Sequence, residues 1–472
     1  MIARLGNGYR CNGFGRERTV RVSGRGTYVR LPAPHAVLWY HAGSIVAWLI
    51  ASGEEMIPMV DRSLLRRPWL IDVANRMGAW LESAGMSFVT FDEEDLCRRA
   101  CAETGLEDFG EESFREPLRV LLEAYRTEAR LTLIGKLAAW HDTLRLLTNR
   151  LRLFDDRKRF PAIGAETVRA PVFIVGLPRT GSTLLHNLFA QDPVNRVPRT
   201  WEVMLPSPPP DASRRGEDPR VEQTRVLLRR FEFLAPTFKV IHPMQADWPT
   251  ECVGILSHTF VSSQFQSTYH IPSYQRWLTT GDLRGAYEFH RWFLQHLQWR
   301  SPGERWVLKA PSHLFALDAV LAVYPDARFI HTHRDPRTVI GSTASLDTVL
   351  RYAFSNTVDP HRIGREALDQ WGVIIDRVLA LREELVWEHR FVDLRYDELV
   401  RTPIAAMETL YARLGWALSS MARQSMERYL SAYPKDRHGT HRYTLAQFGL
   451  KESEVQARFR RYCQRFGLET AA

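Results

Sequence analysis

A chain of 472 residues, 45% hydrophobic and 25% charged, carries enough apolar material for one large domain and a smaller one, and reads as globular and not as disordered. Its formal net charge of +9 raises nucleic acid as a partner, but residues 1–30 alone hold seven arginines against one acid, Glu17, and contribute +6. The rest of the chain is close to balanced, so no nucleic-acid partner is expected.

In chain order, residues 1–60 form a basic, Gly-rich segment without clear periodicity and read as a dispensable tail. The apolar run 36–51 inside it is interrupted by His41, Gly43 and Ser44 and is short of the ~20 residues a membrane helix needs, so no spanning segment is expected. Cys11, Cys97, Cys101, Cys252 and Cys463 contain no CxxC pair and are too scattered for a disulfide framework, which points to a reducing, cytoplasmic setting.

Residues 61–165 read as a helical N-terminal region: Leu64, Leu65, Trp69, Leu70, Val73, Met77 and Leu81 recur near a 3.6 period, and 118–151 repeats the pattern. Pro161 and Gly164 break it. The short apolar run 170–175 predicts a buried strand, 182–190 a helix, and the Pro-rich stretch 205–219 a loop that could serve as a lid. A helical insertion is expected over about 220–300. Further strands are predicted at 306–308, 328–331 and 391–394, each followed by a helical pattern. Strand and helix alternating from about 166 to 472 predict an α/β domain: a P-loop-like doubly wound parallel sheet flanked by helices, with its ligand at the carboxyl ends of the strands.

Gly176-Leu177-Pro178-Arg179-Thr180-Gly181-Ser182-Thr183 follows a predicted strand and opens a predicted helix, the context a phosphate loop requires. Glycines let backbone N–H groups approach an anion, the helix start adds partial positive charge, and Arg179, Thr180, Ser182 and Thr183 supply donors. The segment nearly fits GxxxxGK[ST], but Ser182 stands where a nucleotide hydrolase keeps its lysine. Gly-rich strand-to-helix turns also occur without any ligand, and the loop alone does not separate the two readings. A second candidate half-site lies at residues 325–342, where a predicted strand ends in His333-Arg334-Asp335-Pro336 and Ser342 follows in a helix. Arg334 and Ser342 could converge on one anion.

At this point the chain resembles the sulfotransferase superfamily, closest to bacterial sulfotransferase-family proteins and more distantly to tyrosylprotein sulfotransferases. The likeness is carried by PRTGST at 178–183, WVLKAPSH at 306–313, PDARFIHTHRDPRTVIGS at 325–342 and LRYDELVRTP at 394–403. It implies 3′-phosphoadenosine 5′-phosphosulfate (PAPS) as co-substrate, no metal, and a small-molecule, glycan or lipid acceptor; a homodimer stays open. It also implies that Pro178, Arg179, Thr180, Gly181, Ser182 and Thr183 hold the 5′-phosphosulfate, that Arg334 and Ser342 hold the 3′-phosphate, and that Tyr396 contacts the adenine. Cytosolic members carry lysine in the first loop; Arg179 places this chain nearer the Golgi-type and tyrosylprotein members.

For the chemistry, the resemblance points to Arg179 and Lys309 as catalytic cations and to Glu202 as general base, by its spacing after the loop. His313 is a rival base four residues after Lys309, although cytosolic members place theirs two residues after, where Pro311 stands here. His242 and Glu251 form a third candidate group. Trp248 between them and the aromatic residues that follow, from Phe260 to Trp277, suit either an acceptor pocket or a helical core. The basic stretch 433–443 is positioned like the loop that completes the 3′-phosphate pocket in cytosolic members, or is a solvated turn. The competing functions are a P-loop small-molecule kinase or nucleotide hydrolase, which lacks its loop lysine here, and a non-catalytic nucleotide-binding protein.

Overall fold

The computed structural model describes residues 19–21, 28–30, 65–86, 89–214, 216–434 and 443–468. The chain divides into two compact units, Met1–Met56 and Ile57–Ala472. In the first, β1 (Thr19–Arg21) pairs antiparallel with β2 (Tyr28–Arg30), Val20 opposite Val29. The remainder of the proposed tail lies outside the described residues, as does most of 433–443.

The second unit is organised by five strands: β3 (Val172–Gly176), β4 (Asn195–Arg196), β5 (Arg305–Lys309), β6 (Arg328–His333) and β7 (Phe391–Arg395). All are parallel, in the order β4-β5-β3-β6-β7. The apolar run of β3 exists because both its faces are covered: Phe173 and Val175 enter one core with Leu308 and Phe329, while Val172 and Ile174 enter the other with Val307 and Ile330. The doubly wound sheet read from the sequence is thus present, and each strand read there lies within two residues of its observed bounds. β4 was not legible, because two residues at a sheet edge leave no periodic signal.

The N-terminal helical region comprises Trp69–Ser83, Glu93–Thr104, Arg115–Thr127 and Leu133–Arg159. The last begins where the Thr132 hydroxyl accepts from the Gly135 N–H at 3.1 Å and ends in Arg157, Lys158 and Arg159, which complement the helix dipole. Helix Trp69–Ser83 packs differently from its apolar stripe. It buries Ile71, Asn75 and Gly78, while Trp69, Val73, Met77 and Trp80 stay exposed. Gly78 is what permits the approach, since a Cβ there would stand 2.4 Å from Leu133 Cβ, and the Asn75 side-chain Oδ1 accepts from the Ile134 N–H at 3.1 Å.

Residues 219–298 form six α-helices and one 3-10 turn between β4 and β5. Phe260 and Tyr274 are core residues, with no measurable exposure. The Pro-rich stretch is tied down and does not have the freedom of a lid: Arg220 donates to the Leu205 carbonyl, His296 meets the Pro206 carbonyl, and the Ala212 N–H donates to the Arg300 carbonyl. Among the described residues, no helix is long and apolar enough to cross a membrane.

Candidate active site

Four parallel strands deliver one polar group each to the same edge of the sheet. The loop at Pro178 to Thr183 follows β3, Lys309 ends β5, Arg334 follows β6, and Tyr396 follows β7. A parallel sheet makes this convergence automatic, because all carboxyl ends point one way.

The loop is built for close approach. Gly181 has φ +86°, and a Cβ there would stand 3.0 Å from the Tyr396 ring. Arg179 is held at φ +65°, a conformation that costs a non-glycine residue about 1 kcal/mol. The surroundings fix it: the Arg179 carbonyl accepts from Arg334 Nη1 at 2.9 Å, and Arg179 Nε donates to Ser342 Oγ at 3.3 Å. Thr180 turns inward instead, donating to the Leu177 carbonyl at 2.7 Å and meeting Thr332 Oγ1 at 2.6 Å, so its hydroxyl shapes the loop. Helix Ser182–Phe189 starts at Gly181 with no side-chain cap, which leaves its first N–H groups to an anion. Arg334 lies over Tyr396, its Cζ 4.0 Å from the ring centroid. Burial and the neighbouring Arg334 both press the Arg179 guanidinium toward the neutral form, a tension that an anionic ligand between them relieves.

Lys309 is 2% exposed and stands behind the loop, paired with Glu251 and 3.4 Å from Thr183 Oγ1. Burial alone would raise the Glu251 carboxyl; the charges of Lys309 and His242 and the bond from Lys309 outweigh it, and the net shift is downward. Burial pushes His242 down to about 4, with Lys309 and Arg179 adding to the effect and Glu251 opposing it. At neutral pH the pair is therefore a carboxylate beside an uncharged imidazole, and both line the same cavity.

That cavity has a volume of about 900 Å³. Pro178, Arg179, Gly181, Ser182, Thr183, Arg334 and Tyr396 border it around the loop after β3. Leu228, Phe231, Phe238, Phe265, Tyr269 and Phe354 give most of the remaining wall an apolar character, so two of the aromatics left open between pocket and core, Phe265 and Tyr269, serve both. Trp248 also lines it.

Three of the residues proposed for catalysis do not border the cavity: Lys309, behind the loop, and Glu202 and His313, which lie elsewhere. Glu202 is 2% exposed and does not border the cavity; Arg196 grips both its oxygens, at 2.7 and 2.9 Å, and it accepts from the Arg199 N–H at 2.9 Å to cap helix Thr200–Met204. His313 is sealed in the core, its Nδ1 2.7 Å from the Tyr287 hydroxyl and its ring edge-on to Phe173. Neither reaches the cavity, because the chain turns each of them into the protein interior. The Lys309–Glu251 pair was the element that spacing could not reveal, since 58 residues separate its partners.

His331, His333 and Asp393 also come together, with ligand atoms within 4.8 Å of one another. Arg382 occupies this group: it bonds both Asp393 oxygens at 2.7 and 2.9 Å and both Glu388 oxygens at 2.9 and 2.8 Å. The cluster is an ion-pair network joining β6 and β7 to helix Pro360–Glu383.

Comparison with known proteins gives one consistent answer. A family model described as Sulfotransferase family matches residues 171–420. The chain is 29% identical over 299 residues to omega-hydroxy-beta-dihydromenaquinone-9 sulfotransferase Stf3 of Mycobacterium bovis, covering 60% of this chain and 73% of that protein. The crystal structure of sulfotransferase STF1 from Mycobacterium tuberculosis H37Rv superposes with a TM-score of 0.70 at 33% identity, covering 78% of this chain and 98% of that one. Sulfotransferase STF9 from Mycobacterium avium gives 0.75 at 30% identity, over 81% and 98%.

Proposed function

Because the chain belongs to the sulfotransferase family, we propose that it moves a sulfuryl group from PAPS to a hydroxyl on an apolar small-molecule or lipid acceptor. The observation that carries this is the gathering of Arg179, Arg334 and an uncapped helix start at one end of a cavity whose remaining wall is largely apolar. In this reading Pro178 to Thr183 hold the phosphosulfate, Arg334 and Ser342 the 3′-phosphate, and Tyr396 flanks the adenine. One relative is named for omega-hydroxy-beta-dihydromenaquinone-9; what we carry to this chain is only the class, an alcohol on an apolar body. The scattered cysteines, four of them free thiols among the described residues, support a cytoplasmic setting.

Transfer is an in-line displacement: the bond from sulfur to the 5′-phosphate oxygen breaks, the bond from sulfur to the acceptor oxygen forms, and the acceptor hydroxyl loses its proton. Arg179 and Lys309 offset the charge that spreads over the sulfonate oxygens. Glu251 takes the proton. Lys309 holds its carboxyl low in the donor-free protein; when the lysine turns to the sulfonate, burial, which acts in the opposite sense, raises Glu251 toward the range of an effective base. His242, uncharged and on the same wall, is the second group placed to receive it.

Calorimetry with adenosine 3′,5′-bisphosphate against ATP and Mg²⁺, followed by transfer of radiolabelled sulfate to a panel of alcohols, tests this reading. Binding of the bisphosphate and label on an alcohol are expected; preference for ATP would overturn it.

A further inference from the structure

Helix Trp69–Ser83 is held to the protein by a narrow side and turns its broad apolar side outward. Ile71, Asn75 and Gly78 share the inner side, Gly78 against Leu133, while Trp69, Leu70, Val73, Met77 and Trp80 fill an arc of about 100° on the outer side. Trp69 is 70% exposed, Met77 49% and Trp80 47%, so the stripe that ordinarily buries itself is the one left open. Arg76 borders the arc and no acid of the helix falls within it; Asp72 and Glu82 lie outside, paired with Arg67 and Lys136. The two tryptophans stand about 16 Å apart along the axis.

This helix lies beside the apolar end of the cavity. Just before it, Arg67 donates from Nη1 to the Tyr352 carbonyl at 3.0 Å, near the end of helix Pro336–Phe354. Phe354 lines the cavity, and its ring centroid is 6.4 Å from that of Phe231 in helix Pro219–Leu234. Phe233 of that helix is 51% exposed, and Val240 of helix Phe238–Ile241 is exposed and also borders the cavity. The apolar wall thus reaches the surface at Val240, and Tyr352 and Phe354 link both exposed patches. Residues 66–83 and 219–241 together hold eight basic side chains against four acids. That surplus exceeds the +3 of the whole chain beyond residue 30, so positive charge is concentrated where apolar side chains are exposed.

Tryptophans at both ends of an apolar stripe, with an arginine at its edge, suit the boundary between lipid headgroups and acyl chains. The basic surplus complements an anionic surface and would repel a second copy brought face to face. The apolar cavity wall that surfaces at Val240 gives an apolar molecule a path that avoids water. We propose that this face docks on an anionic lipid bilayer, with helix Trp69–Ser83 lying in the headgroup plane and the cavity opening toward the acyl chains. The contact is peripheral: the stripe is one side of a 15-residue helix, too short to span.

Flotation of the full-length protein with vesicles tests this. Binding is expected to phosphatidylcholine vesicles with about one-third phosphatidylglycerol, weakened at about 0.5 M NaCl and at least about tenfold weaker with phosphatidylcholine alone. Trp69→Gln combined with Trp80→Gln should weaken it at least about tenfold with Tm unchanged, and Arg76→Glu about fivefold. Absence of binding to the anionic vesicles overturns the proposal without any variant. Binding that both the double variant and Arg76→Glu leave intact overturns it too, and assigns the attraction to the basic residues 1–30. A dimer in sedimentation velocity that the double variant dissociates makes a second copy the occupant, and a Tm markedly lowered in the double variant places another part of this chain on the stripe; either result overturns the bilayer. Vesicle binding does not draw on sulfuryl transfer, so each of these failures leaves the sulfotransferase reading standing.

Discussion

The guanidinium of Arg334 lies 4.0 Å from the centroid of the Tyr396 ring and reaches across to the Arg179 carbonyl at 2.9 Å. One arginine thereby ties the ends of β6 and β7 to the loop after β3. Arg334→Ala removes a charged donor and loosens the loop together, and is expected to weaken adenosine 3′,5′-bisphosphate binding about 10- to 100-fold by calorimetry. Arg334→Lys should recover little, because an ammonium cannot stack on the ring and span to the carbonyl with a planar fork.

The Lys309–Glu251 pair, a buried lysine and a half-buried carboxylate on the cavity wall, makes two separable predictions. Lys309→Met and Glu251→Gln should each lower turnover at least about a hundredfold, one by losing the cation on the sulfonate and the other by losing the proton acceptor. In the donor-free protein Lys309→Met removes the main group that opposes burial at Glu251, raises its pKa, and should cost about 3 kcal/mol of stability at pH 8. Adding Glu251→Gln to Lys309→Met removes the uncompensated carboxylate. The double variant should melt higher than Lys309→Met; a lower Tm would show that the pair is not coupled as described.

The β3 loop and the placement of Arg334 and Ser342 beside it were legible because backbone geometry dictates them locally: a buried strand, a turn and a helix start leave a contiguous signature. Trp69 and Asn75 mark the limit for the fold. Periodicity located their helix, but the face that packs is the one where Gly78 admits Leu133, and no apolar pattern announces it. Lys309 and Glu251 were each legible as candidates, but their pairing was not, because it joins segments far apart in the chain and the energy that defines it arises only on burial.

The Arg382–Asp393 network predicts acid sensitivity. Burial would raise the Asp393 carboxyl, but hydrogen bonds from Arg382 and His333 outweigh it and hold the folded-state pKa well below the usual carboxylate range; Glu388 is lowered too, chiefly by its bond from Arg382. A depressed folded pKa adds stability above the unfolded value near 4, and that stability is lost as pH falls from there toward the folded pKa. Asp393→Asn should therefore lower Tm at pH 7, and the gap from the unsubstituted protein should shrink steadily between pH 5 and 3. A gap independent of pH would mean that packing, and not ionisation, sets the contribution of Asp393.

Glu202 provides the sharpest test of placement against sequence spacing. Its two oxygens are taken by Arg196, which is 5% exposed and also donates to the Ser301 carbonyl at 3.0 Å. Glu202→Gln leaves that guanidinium buried without its counter-charge, and should destabilise the protein by about 3 kcal/mol. A structural role predicts that the folded variant keeps the pH profile of kcat unchanged, since no proton of the reaction passes through Glu202. Loss of one limb of that profile would return Glu202 to the catalytic group, whereas its survival beside a collapsed profile in Glu251→Gln would fix the proton acceptor on the cavity wall.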